Sequence, residues 1–277
     1  MPARRLVTAA ALFLLAAAAP GESPRPAGPE LSYADMADLA LAATVAAHVR
    51  VTDSVLLKKE QAAGVPANMA RFYVQADMVS LIRGPETIPP RVSYLVDLPR
   101  SAEGKAPKLR KGTEFILLAA PVPGRPGELR LAAPDAQLAY SPARAERLRA
   151  ILKEATAKDP APRITGIGRA FHVPGALPGE GETQIFLQTS TGAPVSLNVL
   201  RRPGETPMWA VALSEIVDQA ALPPARDTLL WYRLACTLPR NLPRQSLAEA
   251  DAEGARAIQE DYRVVLQGLG PCVRTRR

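Results

Sequence analysis

The chain has 277 residues, of which 47% are hydrophobic and 22% charged, the balance of a globular protein with room for one large or two small units. That composition excludes a fully disordered chain, and a single strongly apolar run excludes a polytopic membrane protein. The formal net charge of +7 contains no block of five like charges, and aromatic residues make up only 5%. The clustered cations and stacking rings of a nucleic-acid binder are therefore missing.

The first nineteen residues read as a secretory signal. Arg4 and Arg5 precede the apolar run from Leu6 to Ala19, which ends in four alanines suited to cleavage. The run falls short of the ~20 residues that a membrane span needs, so no transmembrane span is expected once the signal is removed. Residues 20–30, rich in Pro, Gly, Glu and Ser, read as a flexible mature start. The expected location is periplasmic or secreted. Cys236 and Cys272 are the only cysteines, and an even pair in an oxidising compartment predicts one disulfide.

Ser32 and Asp35 form an S-x-x-D pattern that can cap a short helix. From Thr44 the pattern alternates, with His48, Arg50 and Thr52 on a polar face, which places His48 at the surface. Further strands are predicted over Arg71–Ile82, at Val92, Tyr94 and Val96, over the wholly apolar Phe115–Ala119, and over Glu128–Ala132. Leu148, Ile151, Leu152 and Ala155 then follow a helical period, with Ser141 as cap and Pro142 in the first turn. Asp159-Pro160-Ala161-Pro162 reads as a boundary between residues 31–160 and 163–277.

Five short strands followed by a helix predict a small barrel of the OB type. The stretch from Lys111-Gly112 through Phe115-Ile116-Leu117-Leu118 to the helix resembles the netrin/TIMP-like form of that barrel, without the cysteines that family usually carries.

Beyond the boundary, Gln184–Thr189 and Val195–Arg201 are strands joined by a Gly-containing turn. Trp209, Val211 and Leu213 alternate on a third. Residues 227–238 favour a helix capped by Asp227, although alternating Leu229, Trp231 and Arg233 leave a strand open. Ser246-Leu247-Ala248-Glu249 reads as a capping box for a last helix, whose stripe runs Leu247, Ala250, Gly254, Ile258, Tyr262, Val265 and Leu269. The fold class is thus α+β and predominantly β: an OB-like barrel plus helix, then a β-rich unit closed by a C-terminal helix. The runs Ala170-Phe171-His172-Val173-Pro174-Gly175, Gly181-Glu182-Thr183-Gln184-Ile185-Phe186-Leu187, Val199-Leu200-Arg201-Arg202-Pro203-Gly204 and Trp231-Tyr232-Arg233-Leu234-Ala235-Cys236 resemble those of an exported bacterial protein family with no assigned function. That resemblance implies a shared fold and export, and supplies no activity.

No motif fixes a reaction. Gly166-x-Gly168-x-x-Phe171 lacks the third glycine of a dinucleotide loop, and Pro174 and Pro178 forbid the helix that should follow. Neither G-x-S-x-G nor S-x-x-K occurs. His172, Glu180 and Glu182 are the cluster with chemical potential, since two carboxylates and a histidine can exchange protons or bind a ligand. Arg201 and Arg202 at a strand end can pair with those carboxylates or hold an anion. With two histidines and a bridged cysteine pair, no metal site is expected, and no cofactor. The reading is an exported, monomeric, non-enzymatic binding or interaction protein with a protein or small-molecule partner. The alternative is a periplasmic hydrolase using His172 with Glu180 or Glu182.

Overall fold

A computed structural model describes residues 31–214 and 221–276. The signal segment 1–19 and the start at 20–30 lie outside the described residues. The chain opens with α1 (Tyr33–Ala42), capped by the reciprocal Ser32–Asp35 box that the sequence predicts. β1 (Val45–Leu56), β2 (Met69–Arg83), β3 (Arg91–Pro99), β4 (Glu114–Pro121), β5 (Glu128–Leu131) and β6 (Gln137–Ala139) form a six-stranded sheet in the order β1-β2-β3-β5-β4-β6. β1 also pairs with β4, so five of these strands close into a barrel. β3 and β5 run parallel and the other pairs antiparallel. Three register shifts bend the long β1 enough to serve both neighbours.

β4 shows why a strand can be apolar throughout. Leu117 and Ala119 point into the barrel with Val45, Val49, Val74, Val92 and Tyr94. Ile116 and Leu118 point out into a second cluster. Both faces are covered, so no polar alternation survives.

α2 (Pro142–Ala155) follows, capped by Ser141 with proline in its first turn, and lays Leu148, Ile151 and Leu152 on the second cluster. β7 (Ile164–Pro174), β8 (Gly181–Thr189), β9 (Val195–Arg201) and β10 (Met208–Ala212) make an antiparallel sheet in chain order. α3 (Leu229–Ala235) and α4 (Ala252–Leu269) complete the chain. The second cluster collects Met36, Leu148, Ile185, Leu197, Trp231 and Tyr262 from α1, α2, this sheet, α3 and α4. It is one continuous core lying between the outside of the barrel and the second sheet.

Several expectations are corrected. His48 is 7% exposed rather than at the surface, because the Tyr140 ring stacks on it at 3.7 Å and the Glu114 carboxylate accepts from its Nε2 at 3.0 Å. Residues 227–238 contain a helix, but Thr228 caps it, its hydroxyl accepting from the Trp231 amide at 3.3 Å, and Asp227 stands outside the helix with a φ of 59°. The predicted box at Ser246 does not start the last helix. Residues Arg244–Leu247 form a 3-10 turn, Ser246 is buried with its Oγ unpartnered among the described residues, and Glu249 turns to Arg169 at 3.3 Å. Asp251 caps α4 instead.

Cys236 closes α3 and Cys272 follows the left-handed Gly270 at the end of α4; the two are bonded, with Cα atoms 5.1 Å apart. Beyond the bond, the chain returns to α1. Arg274 pairs with Asp38, Thr275 donates from its backbone and hydroxyl to Asp35, and Arg276 pairs with Asp135.

Candidate functional site

β7, β8 and β9 bring His172, Thr183 and Arg201 to the face of the second sheet that α4 covers. His172 stands opposite Thr183, and Arg201 stands opposite Gly181. α4 delivers Asp261 onto them from above. Asp261 is fully buried, and so is Thr183. The Thr183 hydroxyl donates to Asp261 Oδ2, and Arg201 Nε donates to Oδ1 at 2.5 Å. His172 Nδ1 lies 2.8 Å from the same hydroxyl oxygen.

Donor counting fixes the direction of the hydrogen bond between His172 and Thr183. A threonine hydroxyl carries one proton, and an ionised carboxylate only accepts. With that proton given to Asp261, the hydroxyl accepts from His172, so Nδ1 carries the hydrogen. The relay runs His172 to Thr183 to Asp261, with Arg201 neutralising the end.

Gly181 makes room for this arrangement. A Cβ there would stand 2.7 Å from His172 Cε1 and 3.0 Å from Nε2. His172 lines a cleft of about 390 Å³ between β7 and the start of α4. Phe171, Pro174, Glu249, Asp251 and Glu253 share its walls.

The other predicted residues go elsewhere. Glu180 folds back on its own loop, accepting from the Leu177 amide at 3.2 Å, and its side chain fills the space beside Gly175. Glu182 neighbours Thr183 along β8, so strand alternation turns it to the opposite face. There it lines a different cavity together with Arg202. Arg201 and Arg202 likewise part company, and Arg201 pairs with Asp261 rather than with Glu180 or Glu182. Among the described residues, no group of three histidine, cysteine or acidic side chains is placed to hold a metal ion.

Asp261 is the residue that sequence reasoning missed. A signal was present: Ile258, Asp261, Tyr262 and Val265 follow the helical period, so the carboxylate sits inside the buried stripe. A charged residue in such a stripe needs a partner. The two tryptophans are packing groups. Trp231 is buried and donates to Leu269 O at 2.8 Å, while Trp209 lies against Gly268 of α4. No family model matches the chain, and no curated protein is similar to it.

Proposed function

We propose that this is an exported, non-enzymatic binding protein whose ligand sits in the cleft between β7 and α4. The observation that carries the reading is the convergence of His172 and three carboxylates on one cleft. A ring held through its Nδ1 by Thr183, itself bonded to Asp261, lines a preformed cavity together with Glu249, Asp251 and Glu253. Such a wall favours a small ligand that brings hydrogen-bond donors, an amine or a polyol. The hydrolase alternative is weaker because His172 and Glu182 line different cavities and Glu180 is engaged in its own loop. Export rests on the Arg4-Arg5 start and the apolar run after it, with the disulfide in agreement. No helix among the described residues is long and apolar enough to cross a membrane.

Native mass spectrometry of the mature protein purified from the exported fraction of its host tests this. A donor-rich small molecule retained by the protein and absent from His172→Phe is the expected result. Hydrolysis of p-nitrophenyl acetate that disappears in His172→Ala would replace the reading with the hydrolase.

A further inference from the structure

The sequence holds seven lysines against an arginine-dominated background: Lys58, Lys59, Lys105, Lys108, Lys111, Lys153 and Lys158. The first five lie in two connections, β1–β2 and β3–β4. Both connections sit at one end of the barrel, because β1 and β3 run towards that end while β2 and β4 run away from it. Hydrogen bonds sew them to the same rim. Ser54 Oγ donates to Leu109 O at 2.8 Å, Gly112 N to Val51 O at 2.8 Å, and Arg100 N to Asn68 O at 2.8 Å.

All five lysines are exposed, as is Arg110, and none of the lysines makes an ion pair among the described residues. The acids at this end are Glu60 and Glu103 in the loops and Asp53 on β1; Asp97 is occupied by Arg71, and Glu114 at the start of β4 by Arg50. The opposite end differs. Its connections, residues 84–90 and 122–127, carry only Glu86 and Arg125, and Arg125 is paired with Glu128. The barrel is therefore electrically polar along its axis.

Aliphatic side chains stand beside the cations. Val55, Leu56 and Leu95 are 50%, 44% and 47% exposed. Val55 faces Tyr73 across one ladder and Tyr73 faces Leu95 across the next, so Val55, Tyr73 and Leu95 form one row, while Leu56 faces Phe72.

We propose that this end of the barrel docks on an anionic phospholipid bilayer. Long, unpaired lysine side chains suit a layer of headgroup phosphates, and the aliphatic row can enter the boundary beneath them. A protein partner is disfavoured because lysine is depleted at protein interfaces. Single-stranded nucleic acid needs stacking rings, and Tyr73 is the one aromatic in this row.

The test is co-sedimentation of the mature protein with phosphatidylcholine vesicles, with and without about a third phosphatidylglycerol. Binding is expected only to the anionic vesicles, and to weaken with added salt. Lys108→Gln with Lys111→Gln should reduce partitioning roughly thirtyfold. Lys153→Gln with Lys158→Gln removes the same charge from α2 and the turn after it, and should leave binding intact. Equal loss in both double variants, binding to neither vesicle, equal binding to both, or displacement from the vesicles by oligothymidylate would overturn the proposal.

Discussion

Replacing Asp261 with alanine removes the acceptor of two partners at once. The Thr183 hydroxyl loses its only acceptor in a fully buried place, and the Arg201 guanidinium loses its counter-charge. Breaking a buried pair from one side costs 3–5 kcal/mol, and because Arg201 keeps some contact with water the loss here should be about 3 kcal/mol. Denaturant unfolding reads it directly. Adding Arg201→Ala to the Asp261→Ala background should cost little more, because the partner is already gone. Of the site, the sequence displays the histidine and most of the strand beyond it, predicted over Gln184–Thr189; it does not display β7, which carries His172, or the start of β8 at Thr183. It does not display which carboxylate reaches them. Glu180 and Glu182 are near in sequence, but alternation separates the second, and a tight turn captures the first. Asp261 arrives from 78 positions away.

At the scale of elements, the legible features are those set by local chemistry. The Ser32–Asp35 box, the Ser141-Pro142 start of α2 and the turns between strands need only neighbours in sequence. The start of α4 was misleading for the converse reason. A distant strand takes Glu249 through Arg169, and Ser246 is turned inward, so the box cannot form. β6 and β7 also escape a periodicity reading, β6 because it is three residues long and β7 because two register shifts interrupt it. The far end of α4 is held by the Cys236–Cys272 bond, the Trp231 hydrogen bond to Leu269 and the Tyr262 hydroxyl on Pro239 O at 2.5 Å. The closed loop has a sequence separation of 36, for which chain-entropy arguments give about 3–4 kcal/mol. Cys236→Ser should therefore lower the melting temperature and raise hydrogen exchange in α3 and the last turns of α4 first. Unchanged melting would mean that the two hydrogen bonds hold the helix end without the bond.

At the scale of the whole molecule, the two sheets share no ladder, yet α1, α2, α3 and α4 pack in one cluster between them. The Glu154 carboxylate accepts from the Leu229 amide at 2.8 Å, and Arg233 donates to Ala161 O, so bonds cross the proline-rich stretch at 159–162. Calorimetry should show one transition; two would establish independent units for 31–160 and 163–277. Acid should loosen the assembly at the returning tail. Burial alone would raise the carboxyls of Asp35 and Asp38, but hydrogen bonds from Thr275 to the first, and from Arg274 and Tyr232 to the second, outweigh it and hold both below the usual range. Arg276 does the same for Asp135. Groups whose folded pKa is depressed stabilise fully above the unfolded value of ~4 and lose that contribution as pH falls through the folded value. Melting should accordingly drop below about pH 4, and less steeply in Asp38→Asn.

The bond from Thr275 to Asp35 joins residues 240 positions apart. A ribosome makes α1 first, and its Asp35 then waits for nearly the whole remaining chain before its last partners exist. During that interval Met36 and Leu39, both almost fully covered in the finished molecule, have no α3 or returning tail to shelter beside. Non-local closure of this kind is slow. The barrel, whose strands pair largely with near neighbours in time, can form while synthesis continues. α1 settles only after the tail has been delivered, so the helix that is written first is among the last to be fixed in place.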